Sequence, residues 1–500
     1  MFKDIARLSR QTIIYGMGHM LTKVVSFLLL PFLTHQLPPS EFAVFILFGM
    51  AISVVIEFLR LGLDVSLLRD YVLEKELQQR KVIFSTIFYT ALAFSTLIAI
   101  LLWSMPETWL RLIISAPEGG HPEWMVYTLR LCAGVIWLDN LSAFPLMVIR
   151  GESRAVRFAS IKITGSVAQV GLTVILLAVF HRGVAGAYEA NLLSSVLMML
   201  MTLPTILKRM RPVFNWSVFT AAAAFGLPNV PNALFYQVVE LADRKILELL
   251  RTDFEVGVYS AAYKLGMALS IVAMAFRFAW QPFFLQLSER PDAKQIYARV
   301  LTYYTAGAGW LFLLLTAIVE PLVKWDIPGM GPLIDPAYWS GLGVFPIVLL
   351  AHLPSGIIGI FMVGVYLKKK TWFLPIVTGI AAVVNVAGNI LLIPRWGMWA
   401  AAWLTLVSYA IMPVILHFYI NRHYPVKWEW SRMLHLSIVG ALVFAIGAVG
   451  RQHGWQLPGF VAALAFPALL LATGAANQTE RARLARLWRR NKGGQNKSES

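Results

Sequence analysis

Charged residues are scarce in this chain: Asp, Glu, Lys and Arg make up 14% of its 500 residues. A soluble protein of ordinary composition carries about 25% charged residues, so the composition excludes an ordinary soluble domain. Hydrophobic residues make up 58% of the sequence and occur in long runs separated by short basic links. Because every backbone polar group must be hydrogen-bonded inside a bilayer, runs of about 20 residues without alternation predict membrane-spanning helices and not a β-barrel.

Cysteine and the common catalytic motifs are scarce or missing as well. The single cysteine, Cys132, falls within a predicted span, which excludes an intrachain disulfide and a cysteine-based zinc site. Neither GxxxxGK[ST] nor HExxH occurs, so the sequence predicts no ATP hydrolysis and no metalloprotease chemistry. A polymerase or glycosyltransferase would usually need a sizeable aqueous loop with paired acids, whereas the longest outer loop, residues 106–124, is short and has only Glu107, Glu118 and Glu123 with His121. We therefore expect no metal, no cofactor and no enzyme activity.

The apolar runs predict about fourteen membrane spans. Their expected limits are 11–34, 41–64, 82–103, 124–148, 158–180, 184–207, 217–240, 257–282, 300–322, 338–367, 371–393, 397–420, 433–450 and 459–476. With a cytoplasmic N-terminus, about thirty of the 43 Lys and Arg residues fall in cytoplasmic segments and about eight in outer ones. Both termini are therefore predicted to be cytoplasmic, and the net charge of +17 reflects membrane topology, not nucleic-acid binding.

Two stretches of the sequence repeat one another. EFAVF at 41–45 lines up with EVGVY at 255–259, and after a three-residue slip the match places Arg60 opposite Arg277. Six spans precede the midpoint, so both halves enter the membrane in the same direction and the repeat is parallel. The sequence thus predicts an all-α polytopic membrane protein with two pseudo-symmetric six-helix bundles, and spans 2 and 8 should face each other across a central cavity. The expected parts are an N-terminal bundle at 1–210, a C-terminal bundle at 211–424, two further helices at 425–478 and a basic cytoplasmic tail at 479–500.

Ionisable residues inside the spans are the functional candidates, because charge is costly in lipid. Lys23 is the deepest and has no acid nearby in sequence. Arg60 shares a helix face with Glu57 and Asp64, so an internal ion-pair network is the alternative to a binding site. Arg60 and Arg277 lie near cytoplasmic ends, where extension to lipid headgroups is a further alternative. Cations dominate in spans 1, 2 and 8, and a cavity that they line would suit a phosphate or pyrophosphate.

Span 7 combines polar residues with two prolines. Pro228 and Pro231 remove backbone donors and bend the helix, so a gate between the two halves and a static kink are both open interpretations. The full set of candidate cavity residues for substrate binding is Lys23, Arg60, Arg277, Lys264, Asp139, Asn140, Asn229, Asn232 and Gln237.

Two segments resemble phrases of a known family. TIIYGMGHMLTKVVSFLLLPFLTHQLPPSEFAVF at 12–45 and ADRKILELLRTDFEVGVYSAAYKL at 242–265 resemble the polysaccharide-transport flippases. These belong to the multidrug/oligosaccharidyl-lipid/polysaccharide exporter superfamily, with the multidrug and toxin extruders and the peptidoglycan lipid-precursor flippases. The resemblance extends over about residues 1–420.

The resemblance implies a function. Its members move undecaprenyl-pyrophosphate-linked oligosaccharide across the bacterial inner membrane for cell-surface polysaccharides such as exopolysaccharide or O-antigen, by alternating access through a cationic cavity. It implies that Lys23, Arg60 and Arg277 contact the pyrophosphate and that spans 13 and 14 hold the lipid tail. It also implies H⁺ or Na⁺ as coupling ion, and membrane lipids, a polysaccharide polymerase and glycosyltransferases as partners.

Three other functions stay open. A multidrug antiporter of the extruder type usually has twelve spans and an acidic cavity for cationic drugs. A membrane-embedded sugar polymerase or ligase would need catalytic residues in a large outer loop. A non-transporting scaffold of an export complex would need neither a substrate cavity nor catalytic residues.

Overall fold

The computed structural model of the chain describes residues 24–25, 27–115, 120–329, 331–368, 370–455 and 457–474. Lys23, most of predicted span 1 and the basic tail at 479–500 lie outside these residues. In chain order the helices are α1 (Leu30–Gln36), α2 (Pro39–Arg60), α3 (Leu63–Leu73), α4 (Leu77–Ser104), α5 (Pro106–Ile113), α6 (Glu123–Gly151), α7 (Ala155–Ala178), α8 (Gly183–Arg209), α9 (Trp216–Gly226), α10 (Val230–Leu250), α11 (Asp253–Gly266), α12 (Ala268–Leu287), α13 (Ala293–Val323), α14 (Phe345–Ala351), α15 (Leu353–Leu367), α16 (Leu374–Trp396), α17 (Met398–His423), α18 (Trp430–Gln452) and α19 (Leu457–Ala472).

Twelve helical segments of the described residues are long and apolar enough to cross a membrane. They confirm the polytopic α-helical class predicted from the sequence. Some spans consist of two consecutive helices, as in Trp216–Leu250 (α9 and α10) and Asp253–Leu287 (α11 and α12). Helix α19 is a shorter apolar helix at the predicted fourteenth span. The count of fourteen stays a prediction, because predicted span 1 lies mostly outside the described residues.

The chain divides into two units. Unit 1 comprises Met1–Gln286 and Asp326–Tyr424, and unit 2 comprises Leu287–Trp325 and Pro425–Ser500. Unit 2 thus joins α13 with α18 and α19. The division into two six-helix bundles stays a prediction.

Small residues bring the helices of unit 2 together. A Cβ on Gly447 of α18 would lie 3.5 Å from the Cα of Gly459 of α19, which means that the two backbones are close. Small residues allow this approach, which helix packing in lipid depends on, since the hydrophobic effect does not drive it there. From α13, the Trp310 indole donates a hydrogen bond of 3.0 Å to the Ala463 carbonyl. Near the other end, Thr302 and Arg432 each donate to Glu429 at 2.7 Å.

The predicted bend of span 7 is a 3₁₀ turn at Leu227–Asn229, between α9 and α10. Helix α9 packs on α3 and α4, whereas α10 packs on α16 and α17. At the break, Gly226 touches Gly62, which has a φ of +66° and lies between α2 and α3. A Cβ on Gly62 would lie 2.3 Å from the Gly226 carbonyl oxygen, so no larger residue fits there. The break thus separates two parts of one span that have different packing partners.

Span 7 is longer than the sequence predicted. The expected limits of 217–240 stop before Asp243 and Arg244, which leaves both residues outside the predicted span. In the structure α10 continues to Leu250, and Asp243 and Arg244 are buried at 0% and 5% exposure. The prediction was wrong at this point because hydropathy counts each charge separately. A neighbouring acid and cation that pair reduce each other's cost of burial.

Candidate functional site

The two repeated helices, α2 and α11, pack directly against each other within unit 1. A Cβ on Gly257 would lie 1.8 Å from the Pro39 carbonyl oxygen, so the backbones touch. Beside this point the Tyr338 hydroxyl donates a hydrogen bond of 2.6 Å to the Leu37 carbonyl, and its ring lies edge-on to Phe42 at 5.6 Å. We call these residues the α2–α11 contact.

Spans 2 and 8 were expected to face each other across a central cavity, whereas the α2–α11 contact shows that they pack directly on each other where α2 begins. The contact lies at the start of each helix. Arg60 is the last residue of α2, and Arg277 lies in α12, beyond the end of α11 at Gly266. The two predicted arginines therefore lie past the part of the helices that is in contact.

A buried polar network surrounds Asp243 of α10. The Arg244 guanidinium donates to the Asp243 carboxylate at 3.1 Å, and the Thr405 hydroxyl of α17 donates to it at 3.3 Å. The Tyr259 hydroxyl of α11 donates to the same carboxylate. Arg244 also lies over the Tyr263 ring, 4.1 Å from its centroid. This set, the Asp243 network, connects three helices and compensates both charges.

Glu240 and Arg277 lie beside the Asp243 network. The Tyr409 hydroxyl donates to the Glu240 carboxylate. Tyr236 lies beside Tyr409, with the ring centroids 6.1 Å apart, and is close enough to Arg277 to interact with it electrostatically. The stem of Arg277 packs on the face of Gly359, which favours an internal role over extension to lipid headgroups.

Lys264 of α11 has different surroundings. Its ammonium lies 5.3 Å from the ring centroid of Phe42 and 5.2 Å from that of Phe45, both on α2. The charged side chain with which it interacts is Arg244, another cation. No ion pair within the described residues includes Lys264, whereas Arg244 is paired with Asp243.

Around Arg60 the described residues include more acids than cations. Arg60 lies 3.7 Å from Glu57, and Asp64 lies close enough to act on Glu57. Asp139 of α6 lies close enough to Arg60 and Lys162 to interact with both electrostatically. Three carboxylates thus oppose two cations here, so the positive excess among the described internal charges lies in the C-terminal half, with Arg244, Lys264 and Arg277 against Glu240 and Asp243. This favours an ion-pair network around Arg60.

The predicted amide residues do not converge on one point. Asn140 is buried and donates to Ser95 at 2.7 Å. Asn229 donates to the Phe225 carbonyl of the preceding turn at 3.1 Å, and Asn232 accepts from Thr378 of α16 at 3.1 Å. Gln237 is half-buried on α10. Asn229 is therefore hydrogen-bonded to the backbone of its own span, and Asn232 to a side chain of the neighbouring helix α16.

Asp243, Arg244, Tyr259 and Lys162 were missed as site residues by sequence reasoning. A signal for the first two was present: Glu240 lies three residues before Asp243 and four before Arg244, on one helix face. When charged residues of opposite sign share one helix face, they can pair with each other, and the span can then continue beyond the first of them. Lys162 lies in the predicted fifth span, 158–180, and only the fold brings it near Asp139. Within the described residues no group of His, Cys, Asp and Glu side chains could hold a metal ion.

Comparison with known proteins supports the resemblance seen in the sequence. Residues 32–325 match the family described as polysaccharide biosynthesis protein. No curated protein matches the chain significantly in sequence.

Three solved structures share the fold. A lipid II flippase MurJ in an inward closed conformation has a TM-score of 0.70 at 14% identity, over 92% of this chain and 99% of that one. An inward-facing multidrug resistance MATE family transporter of the MOP superfamily has 0.65 at 14% identity, over 84% and 97%. The MATE transporter VcmN of Vibrio cholerae in its bent form has 0.55 at 16% identity, over 84% and 97%. Identities this low establish the fold alone. Because the family match covers more than half of the 500 residues, the chain belongs to the polysaccharide biosynthesis protein family, with the multi-pass helical fold of MurJ and the MATE transporters.

Proposed function

We propose that the protein is a flippase that moves undecaprenyl-pyrophosphate-linked oligosaccharide from the cytoplasmic to the outer leaflet of the bacterial inner membrane, for cell-surface polysaccharide. The observation that carries the proposal is the match of residues 32–325 to polysaccharide biosynthesis proteins in a chain with a transporter fold. In this proposal both termini are cytoplasmic and the protein is not an enzyme. Membrane lipids, a polymerase and glycosyltransferases are its partners.

The proposed mechanism is alternating access. With both termini cytoplasmic, as proposed, the Pro39 end of α2 would lie on the outer side, and the α2–α11 contact would close the outer face. Arg60 and Arg277 lie past that contact, on the side from which a cytoplasmic pyrophosphate would arrive. Opening to the outside would need α2 and α11 to separate, and the break at Leu227–Asn229 is where span 7 could bend. Spans 13 and 14 would hold the lipid tail.

We further propose that a proton or sodium gradient drives the cycle. Glu240, beside the Asp243–Arg244 pair, gives the C-terminal half a carboxylate that such a cation could bind. Buried polar atoms with no partner among the described residues lie on Asn385, Asn389 and Ser408, in the helices α16 and α17 that pack on α10. Buried polar groups of this kind are normally satisfied by water or an ion, which supports a place for a small cation among these three helices.

The activity is tested by reconstitution. Proteoliposomes are prepared with a fluorescent short-chain lipid-linked oligosaccharide, and a pH or sodium gradient is imposed across their membrane. Quenching of the fluorescence from outside then measures how much of the lipid lies in the outer leaflet. We expect gradient-dependent translocation above that of protein-free vesicles. Export of a cationic dye without movement of the glycan lipid would replace the proposal by the extruder function. Lengthening of the glycan, read by mass spectrometry, would replace it by a polymerase or ligase. If the protein neither moves the glycan lipid, exports the dye nor lengthens the glycan, the non-transporting scaffold is the function that remains.

Replacing a cavity cation should slow this translocation. We expect Lys23→Ala or Arg277→Ala to lower the rate by about tenfold or more, because each removes a charge-assisted hydrogen bond to the pyrophosphate. Membrane abundance should stay normal, as read by immunoblot. The matched control is Arg290→Ala, since Arg290 is exposed and paired with Asp292 at 2.8 Å. Normal flipping by both Lys23→Ala and Arg277→Ala would defeat the cationic-cavity mechanism.

A further inference from the structure

The segment that follows α5 is hydrogen-bonded to the end of α10. The Ser115 backbone N–H donates to one oxygen of the Glu248 carboxylate at 2.5 Å, and the Lys245 ammonium donates to the other oxygen at 2.5 Å. The Glu248 side chain is 1% exposed, so this carboxylate is buried with both oxygens satisfied. Ser115 and Glu248 are 133 residues apart in the chain. The bond between them therefore joins the N-terminal half of the sequence to the C-terminal half.

His121 holds the other side of the same peptide group. Its imidazole is fully buried, with Nδ1 at 3.1 Å from a Glu107 carboxylate oxygen and Nε2 at 3.2 Å from the Ile114 carbonyl oxygen. The Ile114 carbonyl and the Ser115 N–H belong to one peptide bond, which is planar. The direction of the carbonyl therefore fixes the direction of the N–H. While His121 binds the carbonyl, the N–H points at Glu248.

Both partners of the His121 imidazole are hydrogen-bond acceptors. A neutral imidazole has one N–H and one bare nitrogen, so it can donate to the Glu107 carboxylate or to the Ile114 carbonyl but not to both. The imidazolium carries an N–H on each nitrogen and donates to both, with a charge-assisted bond to Glu107. This geometry therefore favours the protonated side chain over the neutral one. Histidine is the side chain whose charge ordinarily changes between about pH 5 and 8.

The charge that acts directly on His121 is that of Glu107. Helix α5 packs on α2, α4 and α6. The charged residues at this end of these helices and of α10 are Glu41, Glu107, Arg111, Glu123, Arg130, Lys245 and Glu248. Within the described part of the chain, Glu107 is the one that pairs with His121, whereas Glu248 pairs with Lys245. The neighbouring charge thus favours the imidazolium.

We propose that Glu107, Ile114, Ser115, His121 and Glu248 form a proton-dependent clasp, here called the outer clasp, which fastens the segment after α5 to α10 when His121 is protonated. All five residues lie within the described ranges. Loss of the proton leaves the carbonyl or the Glu107 carboxylate without its donor, so the peptide group is no longer held toward Glu248. Because the closed clasp binds the proton more tightly than the open one, acid stabilises it, and this stabilisation is lost as the pH rises.

The outer clasp lies on the same side of the membrane as the α2–α11 contact. Helix α10 ends at Leu250, two residues after Glu248, and α11 begins at Asp253. A movement that takes α10 and α11 away from α2 would therefore also take Glu248 away from Ser115. That this side is the outer face rests on the proposed function, whereas the proton dependence of the clasp does not. In the proposed cycle the clasp responds to the outer pH, apart from the coupling ion, and acid outside slows the opening.

The test measures the distance across the outer clasp. The exposed residues Arg111 of α5 and Leu249 of α10 are each replaced by a spin-labelled cysteine in a Cys132→Ser background, and the protein is placed in nanodiscs. Lowering the pH from about 8 to about 5 should raise the ratio of short to long distances by about fivefold or more, because a charge-assisted bond is gained in the closed state. A ratio that does not change with pH would overturn the proposal.

Glu107→Gln distinguishes the outer clasp from other groups that titrate. The new amide can donate to a bare Nδ1, so a neutral His121 can donate its Nε2–H to Ile114 at the same time. Short distances should therefore prevail at both pH values. His121→Gln should instead keep the low ratio of the wild type at high pH under both conditions. Because Glu107 is exposed, its variant decides the matter even if His121→Gln does not fold. A Glu107→Gln profile equal to that of the wild type would overturn the proposal.

The control variant is His453→Gln. His453 is an exposed histidine just after α18, and its Nδ1 bonds to the Val449 carbonyl of the same helix at 3.0 Å. The distance ratio of this variant should depend on pH as in the wild type. A loss of pH dependence equal to that of Glu107→Gln would assign the effect to titration outside the clasp and would overturn the proposal.

These readouts separate the outer clasp from the proposed function, because a distance measurement needs no translocation. A protein that moves no glycan lipid but shows the pH-dependent distance, removed by Glu107→Gln, would overturn the flippase and support the clasp. A protein that moves glycan lipid while the distance ratio stays constant with pH would support the flippase and overturn the clasp.

Discussion

Arg244→Met is expected to destabilise the protein by about 3–5 kcal/mol, because it leaves a buried carboxylate without its cation. Asp243 is 0% exposed, and Arg244 is its ion-pair partner at 3.1 Å. The variant also loses the contact between the guanidinium and the Tyr263 ring, worth about 0.5–2 kcal/mol. The measurement is the free energy of unfolding of the purified protein in detergent.

The double variant distinguishes a charge effect from a packing effect. Asp243→Asn with Arg244→Met removes both charges, and we expect it to recover at least half of the loss, since replacing a whole buried pair is often close to neutral. Arg290→Met, which breaks an exposed pair with Asp292, should cost less than about 1 kcal/mol. A double variant as unstable as Arg244→Met alone would assign the loss to packing.

The sequence predicted the membrane class because that class depends on local properties. The length of an apolar run and the scarcity of charge can be read within 20 residues, and twelve of the described segments meet both criteria. The bend of span 7 was also local, since Pro228 and Pro231 act on their own helix. The burial of Asp243 and Arg244 was not predicted, because it depends on the two residues as a pair. Counted separately they end a span, whereas together they are buried in it.

The site was predicted less well because its contacts join helices far apart in sequence. Lys264 was chosen for its sign, but the aromatic rings that cover it belong to α2, more than 200 residues earlier. Arg60 was chosen as a cavity cation, and its near neighbours Glu57 and Asp64 were visible in the sequence. The additional acid, Asp139, reaches it only through the packing of α6. The net charge of a buried region thus depends on the fold, and counting the charged residues along one helix does not predict it.

Two substitutions of glycine by alanine should have opposite effects. Gly257→Ala is expected to destabilise the α2–α11 contact by about 1–3 kcal/mol, because the new Cβ would lie 1.8 Å from a backbone oxygen of Pro39 that cannot move alone. Gly171→Ala in α7 meets nothing within 4 Å, so it should be neutral or stabilise the helix by up to about 1 kcal/mol. Both residues lie inside helices, so the pair isolates the close approach from helix propensity.

The consequence for transport follows from the same contact. A cost of about 1–3 kcal/mol shifts the equilibrium between closed and open α2–α11 contact by about 5–150-fold. In the proposed cycle Gly257→Ala should therefore leave the outer face open more often and slow glycan-lipid translocation. It should also speed up the labelling of a Lys264→Cys variant by a water-soluble thiol reagent, measured in a Cys132→Ser background that lacks the native cysteine. Gly171→Ala should change neither rate. If the labelling and translocation rates of Gly257→Ala equal those of Gly171→Ala, the α2–α11 contact does not close the outer face, and other helices must do so.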